Sequence, residues 1–467
     1  MHISCCIPSI LILLTTALVC TSSNALSQQI QVAIVNDIAG HFEVLAGVTQ
    51  VIRGLKTVPH IFYTGRVDAP DSLGLKPWLG AESKHQGPLP EWHALRLDNW
   101  RSLEMTAKVV ICISAEMAPK VCQDLVDKLK PMILVLWVHR ADTATATSKI
   151  LGIHDSYKLV ALAPHVATLA ERRMKQPVSW NMPLAMYRAE EFSGTCKSLS
   201  CLKGFVVQGA LRKYRNKVTG GFTRNYTHLW ERMVEMKRAM LVTGGRSTAS
   251  VLDTGGRSTA STASVLDTGG RSTASTASVL DTGGKSTAST ASAAALSSMK
   301  TALGEQLAGN QAAAVAGSRV RGVEVCVLGK GGMREQLGIP AEVDADVEYL
   351  ERLPYPEFWG RIYRSFALVP AFGMPVYYES RISSTIIASL ITGVPLIAEQ
   401  RLLDTYTFFT PEHVFLRKEG EDEVAAMYRI MGMPEEEIMF KRASILTLAH
   451  HLQTQSATFF QEIMQNL

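Results

Sequence analysis

Ser380-Arg-Ile-Ser-Ser-Thr-Ile-Ile-Ala-Ser-Leu-Ile-Thr-Gly-Val-Pro-Leu-Ile-Ala398 is the stretch whose reading decides the fold. Ser383, Ser384 and Thr385 open an apolar helix predicted over Ser383 to Ile391. Thr392-Gly393-Val394-Pro395 then turns sharply into a short buried strand, Pro395 to Ala398. A buried helix feeding an apolar strand is one arm of a βαβ unit, and such units build parallel sheets covered on both faces. Upstream, Leu353-Pro-Tyr-Pro-Glu-Phe-Trp-Gly-Arg-Ile-Tyr-Arg364 predicts a helix from Tyr355 with Phe358 and Ile362 inward. The strand Phe366 to Ala371 follows, and its loop runs through Tyr377-Tyr378-Glu379 to the Ser383 helix. The first turn of a helix carries unsatisfied N–H groups and the positive end of its dipole, so it favours an anion. Here that turn opens at the carboxyl end of a strand, where doubly wound sheets bind ligands. Ser383, Ser384 and Thr385 are therefore candidate anion-binding residues.

The same alternation extends in both directions. Gly204 to Gln208 and Val323 to Gly329 read as strands, with a helix over Asn225 to Val242. Earlier strands are expected at Gln31 to Asn36, Val58 to Tyr63, Lys108 to Ile113, Met132 to His139 and Lys158 to Leu162. Between them lie helical patterns: Phe42, Leu45, Val48, Ile52 and Leu55 share one face, and Glu116 to Leu129 and Val166 to Arg173 read alike. The expected fold class is α/β, with two Rossmann-like, doubly wound domains facing across a cleft. The expected partition is a leader over 1–25, a first domain over 30–187, a linker over 188–203, a second domain over 204–433 and a C-terminal helix over 434–467. That last helix is expected to pack back across the first domain.

A repeat interrupts the second domain. Val251 to Ser264, Val265 to Ser278 and Val279 to Ser292 are nearly identical units rich in Ser, Thr, Ala and Gly. They are too short and too poor in large apolar side chains to stack as a solenoid. The reading for 243–318 is a disordered low-complexity insertion in a surface loop, from replication slippage or as a Ser/Thr-rich stretch for O-glycosylation. Gly283-Gly284-Lys285-Ser286-Thr287 imitates the end of a phosphate-binding loop, but Val279 stands where that motif needs its first glycine.

The 467 residues carry a net charge of +5 with basic and acidic residues interspersed, which is no footprint of a nucleic-acid binder. No Lys, Arg, Asp or Glu occurs from Met1 to Asn36, and Ile7 to Cys20 is an apolar or small run shorter than the roughly 20 residues of a comfortable membrane span. Small residues follow it to Ala25. This reads as a signal peptide, with an uncleaved Golgi-type anchor and a buried helix as the alternatives, and the first two place the protein in the secretory pathway or outside the cell; membrane attachment is expected only if the leader stays on. Of the cysteines beyond it, Cys196 and Cys201 fit either a small disulfide loop or two free thiols in the linker, and no cysteine set has zinc-site spacing. Asn225-Tyr226-Thr227 is an N-glycosylation sequon at a helix start.

Chemistry-bearing residues gather at strand ends. Arg212, Lys213 and Arg215 follow the Gly204 strand, and Lys330 lies between glycines after the Val323 strand; guanidinium and ammonium groups there would meet a diphosphate. On the first sheet, His41 and Glu43 follow the first strand and His139 ends another, so these are the candidate catalytic or acceptor-side groups. Asp37 reads equally as a turn or cap residue.

Over Tyr355 to Tyr406 the chain resembles the GT-B glycosyltransferases in their retaining, family-1-domain form. Phe205-Val-Val-Gln-Gly209, Leu328-Gly-Lys-Gly331 and Gly40-His-Phe-Glu-Val-Leu-Ala-Gly47 carry weaker likeness. The resemblance implies that the second domain holds the nucleotide diphosphate of an activated sugar and the first holds the acceptor. Such enzymes commonly carry two glutamates eight positions apart; here Ser380 and Ala388 stand at those positions, with Glu379 one residue off as the donor-side candidate. The expected function is glycosyl transfer from a nucleotide-sugar donor to a hydroxyl of a glycan, glycoprotein or small molecule. It needs no cofactor beyond the donor substrate, no metal and no nucleic acid, since a helix N-terminus and basic side chains stabilise the leaving diphosphate. The alternatives are a non-catalytic carbohydrate- or nucleotide-binding relative and a nucleotide-sugar epimerase.

Overall fold

Gln28–Asn36 forms strand β1, and its Val32, Ala33, Ile34 and Val35 have no exposed surface. A run of β-branched and apolar residues buried on both faces belongs in the middle of a parallel sheet. The computed structural model describes residues 28–36, 38, 40–64, 74–80, 87–95, 99–102, 104–152, 154–210, 224–246, 322–331 and 333–467. Six further strands join β1: β2 (Pro59–Tyr63), β3 (Glu91–Ala94), β4 (Met105–Cys112), β5 (Ile133–Val138), β6 (Tyr157–Ala161) and β7 (Ser179–Trp180). Their order is β3-β2-β1-β4-β5-β6-β7, and every pairing is parallel.

The second sheet contains β8 (Phe205–Ala210), β9 (Val325–Lys330), β10 (Val347–Glu351), β11 (Ala367–Leu368), β12 (Leu396–Ala398) and β13 (Val414–Leu416). Its order, β10-β9-β8-β11-β12-β13, repeats that of the first six strands, again wholly parallel. Both sheets are thus Rossmann-like. In each, the winding reverses beside the first strand, between β1 and β4 and between β8 and β11. Side chains beyond the carboxyl ends of those strands face a crevice, which is the ligand position of such sheets.

Helices cover the strands where the pattern placed them, with Phe42–Gly54, Pro119–Leu129, Pro164–Met174, Tyr355–Tyr363 and Ser384–Thr392 prominent. The helix expected over Asn225 to Val242 runs from Tyr226 to Arg246. The expected strand Phe366 to Ala371 shrinks to Ala367–Leu368, because Pro370 has no N–H for a ladder. Strands β3, β7, β10 and β13 are short or carry polar residues, so the hydrophobic pattern did not reveal them.

By contact density the chain divides into Met1–Lys237 with Val323–Leu467, which contains both sheets, and Arg238–Gly322. Of the latter, the described part is the end of the Tyr226–Arg246 helix and Gly322; the repeat units lie outside the described residues, as does the leader expected over 1–25. No helix among the described residues is long and apolar enough to cross a membrane.

The two sheets share a core. One buried cluster runs from β1 and the Phe42–Gly54 helix through Tyr187 to Phe358, Ile386, Ile391 and Ile445. The long Glu435–Gln465 helix spans it: Phe460 packs on Trp137 of β5 at 5.7 Å between ring centres, while the buried Arg442 donates to the carbonyls of Ser365 and Tyr363. Gly47 lets the first helix meet the Pro183–Leu184 segment, since a Cβ there would lie 2.2 Å from the Pro183 carbonyl oxygen.

Cys196 and Cys201 form a disulfide, as one of the two sequence readings held, and so do Cys112 and Cys122, whose Cα atoms are 6.0 Å apart. The second bond ties the end of β4 to the helix after it. Cys326 is a buried free thiol.

Candidate active site

At the crevice of the first sheet, the chain leaves β1 and enters its helix through His41, whose backbone is left-handed at φ 54°. Its carbonyl takes the N–H groups of Val44 and Leu45, and its side chain is thrown toward β4, where Nδ1 lies 2.9 Å from Ser114 Oγ. The ring stacks on His139 at 3.8 Å between centres and 9° between planes. His139 is buried and its ring bonds to the Ile113 backbone; among the described residues its Nε2 has no hydrogen-bond partner. Glu116 supports this pair from behind: its Oε1 accepts from the backbone N–H of His139 at 3.0 Å and of Arg140 at 3.1 Å.

Burial controls the charge states. Desolvation, assisted by the Arg140 charge, pushes His41 down to about 4. Desolvation, then His41, pushes His139 well below the ordinary imidazole value. Both rings are therefore neutral at pH 7. Burial raises Glu116 to about 7 against its backbone hydrogen bonds. Glu43 is raised by burial, and its charge acts on Tyr355 of the second half, so it faces the Tyr355–Tyr363 helix.

At the crevice of the second sheet stands Arg224, which is 4% exposed. Its guanidinium donates to the Pro370 carbonyl, to Ser383 Oγ at 3.1 Å and to Thr385 Oγ1 at 2.8 Å. It lies over the rings of Phe372 and Tyr377, each 5.3 Å from the guanidinium carbon. No carboxylate among the described residues pairs with it. Gln208, near the end of β8, accepts from the Thr385 hydroxyl at 3.2 Å and the Ser384 hydroxyl at 3.3 Å. The neighbouring floor is bare backbone: Gly209 and Gly329 have φ 142° and 152°, and a Cβ on Gly329 would meet the Gly209 carbonyl at 2.0 Å. A buried cation beside a helix N-terminus and side-chain-free strand ends is an arrangement for a bound anion.

The two crevices face each other. Arg140, just beyond β5, makes a bridge with Arg381, and Ala141 N donates to the Ser380 carbonyl at 2.9 Å. Asp142 joins Arg381 at 2.8 Å and Arg140 at 3.0 Å. Although desolvation alone would raise Asp142, these two guanidinium groups hold it at about 2. His165 Nε2 also lies 3.2 Å from the Arg381 carbonyl.

Of the residues expected from sequence, His41 and His139 meet in one cluster, and Ser383, Ser384 and Thr385 meet in another. The details of the second differ from a bare helix end. Ser383 Oγ accepts from Thr385 N at 3.2 Å, Ser383 and Thr385 are fully buried, and only the half-buried Ser384 is left at the surface. An anion here would meet Arg224 and the Ser384 turn. Glu379 is exposed at the end of a short helix, Val376–Glu379. The better-placed carboxylate is Glu399 after β12, held by Tyr378 Oη at 2.8 Å and Arg417 at 2.7 Å beside a small cavity that Pro370 and Phe372 also line. Lys330 pairs by backbone with Ala210, and its side chain, like Asp37, Arg212, Lys213 and Arg215, lies outside the described residues. Arg224, Gln208, Ser114, Glu116 and Arg140 were not singled out by sequence. Arg224 was legible only as one more basic residue before a helix.

Paired Rossmann-like sheets with facing crevices define the GT-B fold. No protein-family model matches the chain, and no curated protein does. Among solved structures, Anabaena Alr3699/HepE in complex with UDP and glucose superposes with a TM-score of 0.50 at 9% identity, covering 94% of this chain and 100% of that one. Arabidopsis thaliana UGT89C1 complexed with UDP-L-rhamnose matches at TM-score 0.43 and 10% identity, over 94% and 99% of the two chains. Phytolacca americana UGT2 complexed with UDP-2fluoro-glucose and pterostilbene matches at 0.40 and 8%, over 94% and 100%. The first of these likenesses establishes the fold.

Proposed function

We propose that the chain is a glycosyltransferase of the secretory pathway, moving a sugar from a nucleotide-sugar donor to a hydroxyl acceptor. The observation that carries this reading is the buried Arg224 guanidinium at the Ser384 helix, with no carboxylate among the described residues to neutralise it. As the glycosidic bond to the nucleotide breaks, negative charge collects on the diphosphate. A fixed cation and helix end in a desolvated crevice stabilise that charge more than they stabilise the ground state. Across the cleft, His41 is the group to take the acceptor's proton. For that its Nδ1 must hold a proton and donate to Ser114, which leaves Nε2 free. The HepE superposition supports the donor class, since that protein's structure holds UDP and glucose. Two disulfides and an uncharged leader support an oxidising compartment.

A second reading, binding without turnover, is favoured by His41 itself. An imidazole at about 4 with only a serine behind it is a weak base. Incubating the purified protein with a panel of nucleotide sugars and assaying nucleoside diphosphate release separates the two. Release favours transfer; saturable binding without release favours the binding module; neither would sink both readings.

A further inference from the structure

We propose a transition-metal site of His60, Glu91 and His93 at the edge of the first sheet. The register of β2 and β3 pairs His60 with Glu91 and Phe62 with His93. Alternate residues of a strand share a face, so all three side chains stand on one side of two adjoining strands. His60 Nδ1 lies 3.3 Å from Glu91 Oε2 and 3.3 Å from His93 Nε2, and the three atoms all fall within 4.8 Å of one another. Ligands about 2.0–2.1 Å from a tetrahedral ion stand roughly 3.3 Å apart, which is the spacing around His60.

Hydrogen bonding accounts for the cluster less well. Nδ1 of an imidazole has either one proton or one lone pair, so it serves only one of its two neighbours. Both contacts are also longer than a good hydrogen bond. A cation satisfies all three donor atoms at once. Its ligands are held in place: His60 is buried, and the His93 ring stacks on Phe62 at 4.7 Å. The Glu91 side chain is 55% exposed, which leaves the fourth position toward solvent.

Two imidazoles and one carboxylate suit Zn²⁺ or Cu²⁺ and not Mg²⁺ or Ca²⁺, which prefer oxygen. The three ligands come from β2 and β3 at the edge of the sheet and include none of the residues placed in the two crevices. The ion clamps the edge strand β3 to β2, so this inference does not depend on the reading above.

The test is titration of the EDTA-stripped full chain with ZnCl₂ by calorimetry, with MgCl₂ as control. One Zn²⁺ per chain and no Mg²⁺ binding are expected. Affinity should fall at least tenfold in both His93→Ala and Glu91→Gln, variants at half-exposed or exposed positions that leave the buried His60 in place. Co²⁺ loading should give the visible bands of a low-coordinate site in the unaltered protein and lose them in His93→Ala. Absence of Zn²⁺ binding, or binding of equal strength in both variants, overturns the site.

Discussion

Arg224 reaches Thr385 Oγ1 over 2.8 Å from a position 161 residues earlier in the chain. The contact joins the entrance of the Tyr226–Arg246 helix to the first turn of the Ser384–Thr392 helix and places a cation where two crossovers meet. Charge-assisted hydrogen bonds are worth about 1.5–3 kcal/mol. Arg224→Ala should therefore weaken nucleoside diphosphate binding by about tenfold to a hundredfold. Arg224→Lys should restore little, because an ammonium cannot span Ser383 and Thr385 in a planar fork. Calorimetry with the free nucleotide reads this directly, and melting curves show whether each variant is folded.

His41 predicts a different signature. Substitution His41→Asn keeps a polar group near Ser114 and removes the base, so kcat should fall about 10²- to 10⁴-fold with nucleotide affinity nearly unchanged. The acidic limb of the rate profile of the unaltered enzyme should lie near pH 4, where His41 protonates. A limb near pH 6.5 would mean that a solvated imidazole is the base. The same depressed value affects folding. Its contribution to stability is complete above the unfolded value of about 6.5 and is lost as pH falls toward 4.

Glu116 runs the other way. Burial raises its folded value to about 7, so protonation favours the native state: that stability is present below the ordinary carboxylate range and fades as pH rises through 7. Glu116→Gln retains an oxygen for the N–H groups of His139 and Arg140 but cannot ionise. Denaturant titrations should find the variant gaining relative to the parent between pH 5 and pH 8. A parallel loss at both pH values would show that the carboxylate is needed in its charged form.

The Cys112–Cys122 bond closes a ten-residue loop in a fully buried setting. In the chain-entropy account a loop of this length contributes about 2–3 kcal/mol. Replacing both cysteines by alanine should lower the melting temperature, and peptide mapping without reductant should show the 112–122 and 196–201 links. Finding free thiols at all four positions would remove the support for an oxidising compartment.

Much of the architecture is legible in the amino-acid sequence. The central strands β1, β4, β5, β8 and β9 declare themselves because a strand buried on both faces must be a nearly unbroken apolar run. The Ser384 helix declares itself through its polar first turn and its Gly393-Val394-Pro395 exit. Edge strands such as β3, Glu-Trp-His-Ala, are half solvated and carry no such pattern.

The site divides along the same line. Local pattern shows which residues stand at strand ends, so His41, His139 and the Ser383–Thr385 turn are legible from it alone. It did not determine what lies beside them. Ser114 is 73 residues from His41, His93 is 33 from His60 and Thr385 is 161 from Arg224. The His41–Ser114 and Arg224–Thr385 contacts exist because parallel winding brings the carboxyl ends of non-consecutive strands together, and the His60–His93 contact because β2 and β3 pair side by side; burial there sets which groups hold charge. Periodicity records the environment of each residue along the chain; only the tertiary fold selects its neighbours across it.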